Sequence, residues 1–145
     1  MENVALHLLD IVENALRAGA SKVRVSIVED RAADRRVVEV EDNGRGMDPR
    51  TAERALDPFC TTKEGRTFGL GLPLLAQAVR EADGRLSLAA GERGGVRVTA
   101  TFRMSHPDLK PLGDVDGTMA MLQSAHPDVE FVYRRTAAVA GEATR

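Results

Sequence analysis

The first forty residues change from a helical to a strand pattern of hydrophobic positions. Near the N-terminus the apolar residues recur every three or four positions: Val4, Leu8, Ile11 and Ala15. This spacing predicts an amphipathic helix over residues 1–18, with Gly19 at its C-terminal end. Apolar and polar residues then alternate through 22–29 and 37–41, on either side of a charged turn. That alternation predicts a β-hairpin.

The middle of the chain contains two further helical segments and a long loop between them. An Asp-Pro pair is typical of a helix start and predicts a short helix over residues 48–56. Residues 57–70 are predicted as a loop, and a loop of this length is more often functional than not. The apolar segment 72–82 predicts another helix, which we expect to end at Gly84.

The second half of the chain supplies the remaining strands. Alternating residues predict strands at 85–90 and 96–102, on either side of a glycine-rich turn. Beyond them, the pattern predicts a helix at 117–125 and an edge strand at 129–133, and 136–145 is expected to be frayed. Helices on one side of two antiparallel hairpins predict the α+β class, a two-layer α/β sandwich with a mainly antiparallel sheet.

Composition narrows the class of protein. The chain has 145 residues, which favours one domain with a modest core. A net charge of -2 and only 3% aromatic residues argue against nucleic acid and anionic membranes as partners. Cys60 is the single cysteine, and no signal peptide or long apolar segment is evident. We therefore expect a cytoplasmic protein.

Two segments carry residue types that suit a metal ion and a nucleobase. Asp10 and Asn14 are four apart, so they project from one face of the first helix. A carboxylate and an amide in that relation can hold Mg²⁺ and orient a water or hydroxyl. Asp42 follows a strand and can accept a hydrogen bond from an exocyclic amine. Gly44 and Gly46 let the backbone approach a ligand closely.

Two further segments suit phosphate. Hydroxyl and ammonium groups that can contact phosphate oxygens lie in the long loop: Thr61, Thr62 and Lys63. The next helix is opened by Gly69, Leu70, Gly71 and Leu72. Free N–H groups at a helix N-terminus bind anions.

Each of the four segments alone is better explained as an ordinary helix face, turn, loop or hinge. Their combination and order are what carry the functional signal.

The four segments, in this order, resemble the sequence boxes of one superfamily. "DIVENALRAGASKVRVSI" is similar to its N box, and "VEVEDNGRGM" to its Asp-x-Gly-x-Gly box. "DPFCTTKEGRTFGLGLPLL" resembles the F box, ATP lid and second glycine box of histidine kinases. "GRLSLAAGERGGVRVTATF" resembles the closing hairpin of their catalytic domain. Residues 3–103 thus resemble the Bergerat-fold ATP-binding domain of the GHKL superfamily, which includes gyrase B, histidine kinases and MutL.

The resemblance implies a role for each residue. Residues 1–103 would form the ATP-binding domain and 104–145 a C-terminal extension, with ATP and Mg²⁺ as ligands. Asn14 would bind Mg²⁺ and Asp42 the adenine amino group, with Gly44 and Gly46 shaping the adenine pocket. The phosphate end would be lined by Thr61, Thr62, Lys63, Gly69, Leu70, Gly71 and Leu72. Asp10 would be the catalytic base.

The sequence departs from the family pattern at several points. Asp10 stands where relatives carry a Glu, so its carboxylate is one methylene shorter. Phe68 replaces a glycine of the second glycine box, which predicts a stiffer lid. The segment after Arg103 is too short for a transducer domain, and no phosphoacceptor helix precedes the N box. We interpret His7 as a surface or packing histidine and the chain as a stand-alone form.

These features lead to three functional hypotheses. The first is a regulatory protein kinase or slow ATPase that acts on a partner protein. The second is a nucleotide-dependent switch, and the third is a non-catalytic ATP-binding subunit. We expect the extension to pack on the domain, with a partner or homodimer surface as the alternative. Deleting residues 104–145 is predicted to leave ATP affinity largely intact.

Overall fold

The computed structural model describes residues 3–46, 71–92 and 94–138. Within these ranges the chain forms three helices and five strands, numbered here in chain order. The helices are α1 (Val4–Arg17), α2 (Gly71–Glu81) and α3 (Val115–Ala125). The strands are β1 (Lys22–Asp30), β2 (Arg35–Asp42), β3 (Arg85–Ala90), β4 (Val96–Arg103) and β5 (Glu130–Ala138). The predicted helix at 48–56 and the loop at 57–70 lie outside the described residues.

The five strands form one mixed sheet in the order β3-β4-β2-β1-β5. The pairs β1–β2, β2–β4 and β3–β4 are antiparallel, and β5 runs parallel to β1. One face of the sheet is buried against the helices, and its central residues are Val23, Val25, Ile27, Val38, Val40, Val98, Ala100 and Phe102. The other face carries charged and polar residues such as Arg24, Glu39 and Thr99. This confirms the predicted two-layer α/β sandwich.

Helix α1 is fixed at both ends. The Asn3 side chain accepts a hydrogen bond from the N–H of Leu6 at 3.0 Å, which caps the N-terminus. At the other end the N–H of Gly19 donates to Leu16 and that of Ala20 to Ala15. Gly19 has φ +85, the left-handed conformation of a Schellman motif, as the sequence predicted. His7 is 3% exposed, so it is a packing histidine.

The end of α2 corrects one expectation about a glycine. The left-handed residue after this helix is Asp83, with φ 57, and the N–H of Gly84 donates to the carbonyl of Val79. A Cβ on Gly84 would lie 1.8 Å from the carbonyl oxygen of Thr101. Gly84 is therefore needed because α2 and β4 approach closely there, and Asp83 provides the helix termination.

The C-terminal segment belongs to the same sheet and core. Helix α3 starts two residues before the predicted position, and β5 extends to Ala138. The expectation of fraying was therefore wrong for residues 136–138, which pair with β1, while 139–145 lie outside the described residues. Four buried side chains of this segment join the common core: Leu112, Val115, Met119 and Leu122. The domain boundary after Arg103 stays a prediction.

The linker before α3 is anchored at two places. The N–H groups of Val4 and Ala5 donate to the carbonyls of Pro111 and Leu112 at 2.9 and 2.8 Å. These bonds satisfy two donors that the first turn of α1 leaves open. The buried Arg36 donates to the carbonyl of Lys110 at 2.8 Å and forms an ion pair with Glu29 at 3.1 Å. The linker therefore holds the N-terminus of α1 against the sheet.

Candidate functional site

Asp42 is the last residue of β2 and lies on the helix-facing side of the sheet. Side chains alternate along a strand, so Asp42 shares that side with the buried Val38 and Val40. Its Oδ1 accepts a hydrogen bond from the N–H of Gly44 at 2.8 Å. Partial burial raises the pKa of the Asp42 carboxyl, against the opposing effect of backbone N–H donors from Gly44 and Val96. The group is thus a partly desolvated acceptor with oxygen lone pairs to spare.

Glycines from two loops surround Asp42. A Cβ on Gly95 would lie 2.0 Å from the Asp42 carbonyl oxygen and 2.4 Å from its Oδ1. A Cβ on Gly91 would lie 3.1 Å from the same carbonyl oxygen, and one on Gly44 would lie 3.2 Å from Oδ1. We call Gly44, Gly91 and Gly95 the glycine collar. It lets the β3–β4 turn close around the end of β2.

Sequence reasoning identified only part of this collar. It selected Gly44 and Gly46, and treated 91–95 as an ordinary hairpin turn. Residues 91–95 contain three glycines, more than a hairpin turn requires. This number of glycines could have indicated that the turn approaches another segment closely. Gly46 has φ +84, and a Cβ on it would lie 2.6 Å from the carbonyl oxygen of Gly94. Gly46 therefore packs against the same turn.

Replacing Gly95 with Ala is expected to destabilise the protein by about 1–3 kcal/mol, because the new methyl group overlaps Asp42 and the backbone must shift. Gly91→Ala is the matched control in the same turn. Its methyl group would meet the same oxygen at 3.1 Å, so we expect a smaller loss. Urea unfolding of both variants measures the difference. Equal stability of the two would contradict the close approach of Gly95 to Asp42.

The loop after Asp42 is tied to the C-terminal end of α1. The Asn43 Oδ1 accepts hydrogen bonds from the N–H groups of Ser21 and Lys22 at 2.8 and 3.0 Å. The N–H of Arg45 donates to the carbonyl of Ala18 at 3.0 Å. A Cβ on Gly44 would lie 2.9 Å from that same carbonyl oxygen. The end of α1 and the end of β2 are therefore held together, and Asn43 is a structural residue in this link.

Asn14 lies in the last turn of α1, at the end that contacts this loop. Its side chain is partly buried, and its Oδ1 accepts a hydrogen bond from the Arg17 guanidinium. Asp10 lies one turn earlier on the same helix face and is also partly buried. The sequence analysis did not identify Arg17. Residues three apart on a helix are neighbours on its surface, so the spacing of Arg17 from Asn14 could have predicted this contact. Asn14 and the Asp42 loop thus occupy one end of the α/β layer.

The phosphate-binding residues predicted from the sequence are only partly described. Gly71 and Leu72 form the first turn of α2, so their backbone N–H groups have no acceptor within the helix. Such N–H groups can bind an anion. The other predicted residues lie outside the described part of the chain: Thr61, Thr62, Lys63, Gly69 and Leu70.

The oxygen ligands near the end of α1 suit a magnesium ion that is bound together with a nucleotide. They suit less well a metal ion held by protein side chains alone. Among the described residues, no three His, Cys, Asp or Glu side chains form a metal-binding cluster. The amide oxygen of Asn14 is a hard ligand of the kind Mg²⁺ accepts. Mg²⁺ commonly takes one or two protein oxygens and completes its shell with water and phosphate oxygens.

Comparison with known proteins assigns the family. The family model of histidine kinase-, DNA gyrase B-, and HSP90-like ATPases matches residues 3–106. The chain belongs to this family and is a histidine-kinase-like ATPase domain, as found in sensor kinases. No helix in the described ranges has both the length and the apolar character needed to cross a bilayer.

Individual relatives agree with this assignment. The sensor protein CitS of Halalkalibacterium halodurans is 37% identical over 97 residues, covering 64% of this chain and 18% of CitS. The crystal structure of the ATP binding domain of PrrB from Mycobacterium tuberculosis is 26% identical, with a TM-score of 0.52, covering 68% of this chain and 66% of that one. The chain therefore spans less than a fifth of CitS.

One more distant structure covers more of the chain. The Aquifex aeolicus MutL ATPase domain, complexed with ADP, is 19% identical with a TM-score of 0.55. The matched region includes 93% of this chain and 60% of the MutL chain. At this identity the comparison shows the fold alone. The shared fold extends beyond residue 106 and includes most of the C-terminal segment.

Proposed function

We propose that this chain binds Mg²⁺-ATP at the end of the α/β layer formed by Asp42, the glycine collar and the last turns of α1. The observation that carries the proposal is the setting of Asp42. Its carboxylate is partly buried, faces the helices and is approached closely by glycines of two loops, which bring backbone but no side chain against it. A carboxylate there can accept a hydrogen bond from the exocyclic amine of adenine.

The remaining residues would hold the phosphates. Asn14 would bind the magnesium ion through its amide oxygen, and Arg17, which donates to Asn14, would add positive charge nearby. The first turn of α2, with Gly71 and Leu72, would offer backbone N–H groups to phosphate oxygens. The loop residues Thr61, Thr62, Lys63, Gly69 and Leu70 would complete that end. Bound Mg²⁺ would neutralise phosphate charge.

We further propose that the protein acts as a regulatory protein kinase or a slow ATPase in the cytoplasm, on a partner protein in signalling. Asp10 lies one turn from Asn14 and can accept a proton from a partner hydroxyl or from water. Its shorter side chain suits a nucleophile that approaches the helix closely. Similarity to the sensor protein CitS and to the ATP binding domain of PrrB supports a role for the chain in ATP-dependent signalling.

Replacing Asp10 with Ala is expected to leave Mg²⁺-ATP affinity within about threefold and to lower ADP formation about 10²- to 10⁴-fold, the usual contribution of a general base. Asn14→Ala is expected to weaken binding only when Mg²⁺ is present. Glu13→Ala is the matched control, since Glu13 projects from a different face of α1. Calorimetric titration and an ADP-release assay, with and without EDTA, measure both effects.

The outcomes separate the candidate functions. ADP formation that is lost in Asp10→Ala, with binding retained, supports the enzyme. Tight binding with no ADP formation in any variant excludes the slow ATPase and supports a nucleotide-dependent switch or a non-catalytic ATP-binding subunit. Absence of nucleotide binding by the wild-type chain would exclude all of these functions.

A further inference from the structure

Strand β5 forms one edge of the sheet. It is nine residues long, and within the described residues no strand pairs with its outer edge. An open edge of this length presents a row of unpaired backbone donors and acceptors, which natural proteins usually cover or block. The backbone directions and the side-chain charges of β5 determine which strand can pair with this edge.

The hydrogen bonds to β1 fix which groups of β5 face outwards. The N–H of Glu130 donates to the carbonyl of Ser21 at 2.9 Å, so Glu130 directs its backbone groups towards β1. In a parallel pair both backbone groups of a residue point to the same neighbour, and the direction alternates along the strand. Phe131, Tyr133 and Arg135 therefore direct their N–H and C=O groups to the open edge.

We propose that a second copy of this chain pairs with this edge, as an antiparallel strand about a two-fold axis at Val132. In this register Phe131 of one copy and Tyr133 of the other form a hydrogen-bonded pair. The two-fold axis produces the same pair a second time. Val132 then faces itself at a non-hydrogen-bonded position, where side chains come closest. The outward backbone groups of Phe131 and Tyr133 are all satisfied.

The charges of β5 are self-complementary in this register. Glu130 lies opposite Arg134 of the second copy, on the outer face of the sheet, and this contact also occurs twice. The Glu130 side chain is 65% exposed, with only a 3.9 Å contact to Lys22. Arg134 is exposed and has no ion-pair partner among the described residues. The dimer would therefore satisfy charges that a single chain leaves in solvent.

Other positions of the axis lose this complementarity. An axis at Glu130 or at Arg134 would place two like charges directly opposite each other, which destabilises a strand pair. An axis at Phe131 or Tyr133 would set Glu130 opposite Val132 or Thr136, so Glu130 would lie opposite no charged residue. A two-fold axis makes both partners use the same surface, as in most soluble dimers. These relations favour a second copy as the occupant.

Charge exchange between the two strands tests the proposal. Glu130→Arg and Arg134→Glu are each expected to raise the dimer dissociation constant at least about tenfold, because each creates two like-charge contacts. Mixing the two variants is expected to restore a dimer, since both contacts of the mixed pair are again Glu opposite Arg. Arg85→Glu, on the opposite edge strand β3, is the matched control and should leave dimerisation unchanged. Sedimentation equilibrium of the full chain, without nucleotide, measures each association.

Cysteine cross-linking tests the register itself, in chains that keep the native charges. Val132→Cys in a Cys60→Ser background is expected to form a disulfide-linked dimer on mild oxidation. Thr136→Cys is the control. Position 136 lies four residues from the axis on each strand, in opposite directions, so the two thiols are more than about 20 Å apart and cannot form a disulfide. Circular dichroism confirms that each variant folds.

Three results would overturn the proposal. They are a wild-type chain that stays monomeric up to millimolar concentration, a dimer unaffected by either charge reversal, and two charge variants that do not associate when mixed. Because no measurement uses ATP, failure of the dimer leaves the proposed ATP binding untouched, and the reverse also holds.

Discussion

Replacing Asp42 with Asn is expected to weaken ATP binding roughly 10- to 150-fold, the loss that follows when a hydrogen bond to a charged group is removed. The carboxylate accepts from both of its oxygens, whereas the Asn amide directs an N–H donor at one of those positions. That donor would meet the adenine amino group with the wrong polarity. Titration of both proteins with Mg²⁺-ATP measures the change. Asp34→Asn, at the opposite end of the sheet, is the control and should bind like wild type.

The stability of this variant distinguishes lost binding from lost folding. Burial raises the pKa of Asp42 in the folded protein above its ordinary value of 3.8. The folded state therefore holds the proton more tightly, and this contribution to stability is present below pH 3.8 and lost as the pH rises through the folded pKa. At neutral pH the ionised carboxylate is partly desolvated, so Asp42→Asn should be at least as stable as wild type. A variant that unfolds more easily at neutral pH would contradict this.

Truncation after His106 is expected to abolish cooperative folding. It removes four core residues, Leu112, Val115, Met119 and Leu122, each worth about 1.5–3 kcal/mol when buried. Their sum is comparable with the whole stability of a typical domain, about 5–15 kcal/mol. The same truncation removes the parallel partner of β1 and the carbonyls that bind the N-terminus of α1. Thermal unfolding followed by circular dichroism measures the result.

Truncation after Ala138 is the control for that experiment. It removes only residues beyond the end of β5, so the melting temperature is expected to stay close to that of the full chain. A cooperative transition in the shorter truncated chain, with ATP affinity intact, would instead support the prediction made from the sequence.

The fold could be predicted in segments where the hydrophobic residues follow a single regular spacing, either that of a helix or that of a strand. The α1 helix and the first hairpin have buried residues at regular spacing, so their type and position were predictable. β5 is different, because the strand it pairs with, β1, lies far away in the sequence. Its residues Phe131 and Tyr133 pack on the core only when β1 lies beside them, and Thr136 to Ala138 carry no periodic signal of their own.

The candidate site was predictable where chemistry is concentrated in a short segment. Asp42 and Gly44 are two residues apart, and the structure places them in direct hydrogen-bond contact. Gly91 and Gly95 reach the same site from a turn about fifty residues later, through the pairing of β2 with β4. Local reasoning assigns such glycines to their own turn, because only the sheet register shows what they approach.

The pairing of β1 with β5 also sets the order in which the chain can be completed. Lys22 pairs with Glu130, more than a hundred residues later, and parallel strands joined by long connections are slow to form. During synthesis β1 is made many residues before β5, and at about 5–20 residues per second the interval is several seconds or more. The nascent chain can pair β1 with β2 early, but the other edge of this valine-rich strand stays unpaired until β5 is made. We expect ribosome stalling near residue 110 to leave a species that needs a chaperone.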